Sequence, residues 1–144
     1  MALSRIPVKF IINDGSVASR EVQEFNYKFT QMRDKQGQIS AETVGGEIKL
    51  TFKALNLGLT DLLRWKLGDP LTGENKTKSG TIEFLNTTSG LHMKTIHFTD
   101  AFCVEYEELW KEGETKTNQE KIILACKEIQ VETAKFSNKI RWGQ

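Results

Sequence analysis

Apolar and polar residues alternate with a period of two along several stretches of the chain. The clearest is Glu47-Ile-Lys-Leu-Thr-Phe-Lys53, in which every second side chain is apolar. Successive side chains of a strand point to opposite faces, so this pattern predicts a strand with one buried face. The same alternation occurs at 25–29, 82–84, 96–98 and 102–106. The chain is therefore predicted to be rich in β-strands.

The predicted strand at 122–131 is apolar on both of its faces. Ile122, Leu124 and Cys126 share one parity, and four further apolar residues occupy the other: Ile123, Ala125, Ile129 and Val131. A strand of this kind has two apolar surfaces to cover. We expect one to face the core and the other to face a neighbouring subunit.

A single short helix is predicted at 60–67. Thr60 is its expected N-cap, Asp61 is favourable in its first turn, and Gly68 ends it. A helix of about two turns is held by packing rather than by propensity. The packing side chains are expected to be Leu62, Leu63 and Trp65.

Composition limits the classes of function. The 144 residues fit a single domain, 1–144, and the 38% apolar and 27% charged fractions are those of a soluble globular protein. The net charge of +1 is too small to indicate a positively charged surface that binds nucleic acid. No apolar run approaches the ~20 residues that cross a bilayer, so membrane insertion is not expected. The N-terminus lacks the pattern of a secretory signal, so we expect assembly in the cytoplasm.

Candidate chemistry is sparse. Cys103 and Cys126 lie in strand patterns typical of buried thiols, and His92 and His97 have opposite strand parity without the cysteine spacing of a zinc site. We therefore predict no catalytic, cofactor or metal site. An enzyme that uses these cysteines or histidines is the least favoured alternative.

A monomeric β-barrel that binds a small apolar ligand is the rival hypothesis. Such a barrel needs an interior cavity. Five large side chains favour a filled core instead: Phe25, Phe29, Phe52, Phe84 and Phe98. From the residues alone, the chain is a β-rich barrel or sandwich with one inserted helix, and a binding or structural role is favoured over an enzyme.

The order of several segments resembles a known family. Gly45-Gly-Glu-Ile-Lys-Leu-Thr51 is followed by Thr60-Asp-Leu-Leu-Arg-Trp65 and later by Met93-Lys-Thr-Ile-His-Phe-Thr-Asp-Ala-Phe102. Together with the strand at 25–29 and the segment 129–142, these resemble the type VI secretion tube protein (Hcp, also called TssD) in its Bacteroidetes form. The resemblance covers about 22–142. It is weaker at 1–20 and in the charged stretch 111–121.

The resemblance implies a six-stranded antiparallel β-barrel with one short flanking α-helix. It implies homo-hexameric rings that stack into a hollow tube inside a contractile sheath, with a VgrG-type spike at the tip and secreted effectors in the lumen. The tube would leave the cell through the type VI apparatus. A phage-tail-tube-like structural protein is the closely related alternative.

The polar segment 34–44 is long for a hairpin connection, which usually has two to five residues. It is either an ordinary hairpin loop or, as the family favours, the ring-to-ring contact. The candidate stacking residues are Asp34, Lys35, Gln36, Gln38, Ser40 and Glu42.

Overall fold

The computed structural model describes residues 7–29, 35–36, 46–54, 59–68, 76–85, 92–111 and 118–137. Within these ranges the chain forms seven strands and one helix. In chain order they are β1 (Val8–Ile12), β2 (Arg20–Tyr27), β3 (Glu47–Lys53), α1 (Asp61–Leu67), β4 (Lys78–Leu85), β5 (His92–Leu109), β6 (Gln119–Val131) and β7 (Ala134–Ser137).

Six of the strands close into an antiparallel barrel. The strand order is β3-β2-β1-β4-β5-β6, and β3 pairs again with β6 from Glu47↔Ala125 to Lys53↔Gln119. Closure pairs strand edges that would otherwise be exposed. β7 folds back on the far end of β6, where Val131 pairs with Ala134. The predicted fold class, a six-stranded barrel with one short helix, is confirmed.

Aromatic side chains fill the barrel interior. The Phe10 ring lies 5.0 Å from the Phe52 ring and 5.8 Å from the Phe98 ring, measured between centroids. All three side chains are fully buried. Interiors packed in this way have little space for a ligand. Phe29 is the exception to the predicted core, because its side chain is 37% exposed.

A row of aromatic rings covers one end of the barrel. It runs from Phe84 through Phe25 and Tyr27 to Phe29, with centroid separations of 5.8, 5.1 and 5.7 Å. Phe29 then contacts Phe136 of β7 at 5.0 Å. These separations are typical of favourable aromatic pairs. The row therefore joins β4, β2 and β7.

A buried ion-pair network around Arg20 lies at the other end. Arg20 is 1% exposed, and its Nε donates to Oε1 of Glu120 at 3.0 Å. Its two terminal nitrogens donate to the two carboxylate oxygens of Asp61, and Nη1 also donates to the Ala18 carbonyl at 2.8 Å. The Tyr106 hydroxyl donates to the other oxygen of Glu120 at 2.9 Å. The network therefore connects β2, α1, β5 and β6.

The network shifts the pKa values of its members. Burial acts to raise the pKa of Asp61, but hydrogen bonds from Arg20 and from the Ala18 N–H outweigh it and hold that pKa below the ordinary 3.8. Burial acts to lower the pKa of Arg20, but its two carboxylate partners outweigh it and raise the pKa. Both groups are therefore held in their charged forms.

The short helix α1 begins and ends as predicted. It follows Thr60, whose side chain makes no capping hydrogen bond, and stops at Gly68, whose N–H donates to the Arg64 carbonyl at 2.9 Å. Leu62 is fully buried and Trp65 is 4% exposed, while the Trp65 indole N–H donates to the Lys76 carbonyl at 2.9 Å. The helix is thus held by two apolar anchors and by the Asp61 ion pair.

In both β5 and β6, the alternation of buried and exposed side chains changes phase at the same level of the barrel. Phe98 and Ile129 are paired and buried, and so are Ala101 and Cys126. Between them Asp100 adopts a positive φ of 50°, and β5 has one more residue than β4 at this point. A bulge of this kind bends the strand and turns its following side chains to the other face.

Gly80 of β4 lies where β1 and a core ring approach most closely. A Cβ at this position would overlap the carbonyl oxygen of Ile11 and lie 2.8 Å from Cζ of Phe98. Backbone and a packed core ring have little freedom to move away.

Gly80→Ala should lower the free energy of unfolding by about 1–3 kcal/mol, because overpacking forces backbone shifts. Gly15→Ala is the comparison, since Gly15 has a φ of +74° but no atom within 4 Å of an added Cβ. It should cost only the ~1–2 kcal/mol of a left-handed residue. Urea unfolding measures both. A Gly80→Ala chain as stable as the wild type would contradict the close approach.

Asp61→Asn should lower the free energy of unfolding at pH 7 by about 3–5 kcal/mol, because it leaves Arg20 buried beside one carboxylate only. Since the folded pKa of Asp61 lies below 3.8, its contribution is complete above that pH and is lost as pH falls through the folded value. The wild type should therefore lose more stability on acidification than the Asn variant. Urea unfolding at pH 7 and at steps below pH 4 measures this.

Glu21→Gln is the control for that series, because Glu21 is an exposed carboxylate on the same strand, β2. It should change stability by no more than about 0.5 kcal/mol. Equal losses in the two variants would show that the Arg20 network contributes nothing specific.

Candidate assembly surface

The outward-facing side chains of β2, β3, β6 and β5 form one continuous surface, here called the outer wall. Paired residues of antiparallel strands share a face, so the ladder registers define two rows across it. The first row is Asn26, Lys49, Ile123 and Glu105, and the second is Glu24, Thr51, Lys121 and Glu107. A groove of about 580 Å³ lies over these rows.

The outer wall combines an apolar strip with charges. Ile123 and Ala125 are half-buried, and Ala125 pairs with the half-buried Phe102. Val104 of the same strand is 47% exposed. A strip of apolar side chains rimmed by charged ones is typical of protein–protein contact surfaces.

Exposed charges of both signs lie on the outer wall. Glu24, Glu105 and Glu107 are exposed, as is Glu47, which pairs with Ala125. The exposed amines of β3 and β6 on this surface include Lys49, Lys53 and Lys121. None of the ion pairs found between described residues involves these lysines. The carboxylates Glu105 and Glu107 border the strip on its β5 side.

Two of the four predicted subunit-contact residues lie on the outer wall, and two do not. Ile123 and Ala125 point outward, because the alternating residues Ile122, Leu124 and Cys126 are buried in the core. The prediction that Ile129 and Val131 share that face is wrong. Ile129 is 1% exposed and Val131 packs against the core. The bend opposite Asp100 reverses the parity of β6, which a regular strand does not do.

The predicted stacking residues fall largely outside the described ranges. Lys35 and Gln36 form an exposed turn. Asp34, Gln38, Ser40 and Glu42 lie outside the residues that the structure describes.

The cysteines are buried in the barrel. Cys126 is fully buried and Cys103 is 4% exposed. Burial raises the pKa of each thiol to about 12. A thiol with so high a pKa forms almost no thiolate near neutral pH and is a poor nucleophile.

His97 does not join the cysteines in a metal site. His97 is exposed on β5, whereas the cysteine side chains face the interior; the side chain of His92 lies outside the description. Within the described ranges, no group of three His, Cys, Asp or Glu side chains could hold a metal ion. Nor does any described helix have the length and apolar character that crossing a membrane requires.

The sequence reasoning missed the residues that position this surface. Arg20, Asp61 and Glu120 fix α1 against the barrel, and Phe102 and Val104 extend the apolar strip of the wall. Phe102 and Val104 gave a usable signal for the strip, whereas Tyr106, beyond the bulge between Cys103 and Glu105, pairs with the buried Ile122 and faces the core. No local signal identifies Arg20, because Asp61 and Glu120 lie 41 and 100 residues away in the chain.

The sequence from residue 5 to residue 142 matches the family described as hemolysin coregulated protein Hcp (TssD). The chain belongs to this family, whose members are tube proteins of the type VI secretion system. The family resemblance inferred from the sequence is therefore confirmed.

Solved structures share the fold. Hcp1 from Flavobacterium johnsoniae, a Bacteroidetes member, is 23% identical with a TM-score of 0.77, over 92% of this chain and 99% of that one. Hcp1 from Salmonella typhimurium is 12% identical with a TM-score of 0.66, over 93% and 95%. A six-fold symmetrised baseplate of the anti-feeding prophage contains a chain that is 17% identical with a TM-score of 0.54, over 91% and 95%. No curated protein matches the sequence.

Thiol labelling tests the burial of the cysteines. Because both side chains are buried and both pKa values are raised to about 12, neither cysteine should react with an aromatic disulfide reagent at pH 8 in the native protein. Both should react in 6 M guanidinium. Rapid labelling of one thiol per native chain would contradict this placement.

Proposed function

We propose that this chain is the repeating subunit of a type VI secretion inner tube, with a single tube-protein domain over 1–144. Six copies form a ring, and rings stack into a hollow tube. The observation that carries the proposal is the outer wall, because an apolar strip on an otherwise closed barrel needs a covering surface. Family membership favours a second copy as that surface.

The filled interior supports a structural role over a ligand-binding one. Phe10, Phe52 and Phe98 occupy the centre of the barrel. The Phe10 ring centroid lies 5.0 Å from that of Phe52 and 5.8 Å from that of Phe98. A small apolar ligand would have to displace them. The proposed assembly instead uses the outside of the barrel.

The proposed partners are those of a type VI secretion tube. The sheath encloses the tube, a VgrG-type spike caps it, and effectors travel in its lumen. Subunits assemble in the cytoplasm and leave through the secretion apparatus. Ring stacking is assigned to the segment 34–44, of which Lys35 and Gln36 form an exposed turn.

Ile123→Asp should abolish the rings, because it places a carboxylate in the apolar strip of the outer wall. Ile11→Asp is the matched control: Ile11 is also a half-buried isoleucine that faces outward, but on β1, three strands away from β6 around the barrel. Native mass spectrometry of the two variants and the wild type measures the assembly. Equal assembly of all three proteins would contradict a ring contact through the outer wall.

Lys35→Glu should leave single rings intact and reduce their stacking, because Lys35 lies in an exposed turn of the proposed stacking segment. Counts of stacked against single rings in negative-stain images measure the effect. Loss of the rings themselves would show that the segment contributes to the ring rather than to stacking.

A further inference from the structure

The outward face of α1 is a further exposed apolar surface among the described residues. Leu67 is 69% exposed, the highest value among the large apolar side chains of the described residues. Leu63, one helical turn earlier, is half-buried. The inward side of the helix is already satisfied by the buried Leu62 and Trp65. The apolar residues of α1 therefore exceed what the barrel uses.

The charges of this face are opposite to those that border the strip on β5. Asp61, the acidic residue of α1, is occupied by Arg20. The remaining charged residues of the helix are Arg64 and Lys66. The helix thus presents leucines beside cations, whereas the strip of the outer wall is bordered on β5 by the exposed Glu105 and Glu107.

A closed ring of identical subunits needs two different, complementary surfaces on every copy, because its contacts are head-to-tail. We infer that the outward face of α1 docks on the outer wall of the next copy, with Leu63 and Leu67 on the strip around Ile123 and Ala125. Arg64 and Lys66 then lie near Glu105 and Glu107. This inference rests on the proposed ring and specifies which two surfaces form it.

The two surfaces can both be used at once. α1 packs on β5 and turns Leu62 and Trp65 into the core cluster, while the strip is formed by the outward residues of β5 and β6. One subunit can therefore offer its helix to one neighbour and its wall to the other. The Arg20 network fixes the helix against the barrel, so the relative orientation of the two surfaces is rigid.

Disulfide trapping tests the contact directly. The variant Leu67→Cys combined with Ile123→Cys should give, after mild oxidation, a ladder of covalent multimers that ends at a closed six-chain ring. Each single-cysteine variant should stay monomeric on a non-reducing gel, because a head-to-tail contact never brings two identical positions together. The native cysteines do not interfere, since both are buried.

Leu67→Cys combined with Ile11→Cys is the geometric control, since Ile11 faces outward on the far side of the barrel. It should give no ladder. If the unmodified chain forms rings but the Leu67–Ile123 pair does not cross-link, the contact inferred here is wrong and the ring stands. If the unmodified chain forms no rings at any concentration, the ring proposal fails and this contact fails with it.

Charge reversal gives an independent readout on exposed residues. Arg64→Glu should reduce the ring fraction at least tenfold, and so should Glu105→Arg. The double variant should restore rings if the two side chains face each other across the contact. A double variant as defective as the singles, together with no disulfide ladder, would overturn the inference.

Discussion

The pairing of Arg20 with Asp61 and Glu120 is the interaction on which the positions of the helix and the barrel end depend. A guanidinium that is 1% exposed is stable only when its charge is compensated, and here two carboxylates from distant parts of the chain compensate it. One carboxylate belongs to α1 and the other to β6. The two carboxylates that neutralise Arg20 therefore also hold the helix against the barrel and the start of β2 beside β6.

The remaining architecture follows from closure. β3 pairs with β6, the interior is filled by Phe10, Phe52 and Phe98, and an aromatic row covers the end opposite Arg20. Because the interior of the barrel is filled, contacts with other molecules are made by its outer surface. Among the described residues, the outer wall and the outward face of α1 both carry exposed apolar side chains. Membership of the Hcp (TssD) family is the reason for proposing that both surfaces serve in assembly.

Features set by local patterns could be predicted from the sequence. The strand at Glu47–Lys53 follows from its alternation, and the helix Asp61–Leu67 follows from Thr60 at its start and Gly68 at its end. Ile123 and Ala125 were correctly placed opposite Ile122, because β6 is regular there.

Features set by distant contacts could not be predicted. The interior position of Ile129 depends on a bend at Asp100, on another strand. Arg20 could not be identified as buried without knowing that its two partners meet it in space. The proposed role of the wall as an assembly surface likewise depends on copies that one sequence does not show.

The mass of the native wild-type protein, measured with negative-stain images of the same sample, tests the central claim most directly. The account predicts a species of six chains, visible as six-fold rings with a central hole. A single 16.4 kDa species without rings at every concentration and ionic strength would contradict it.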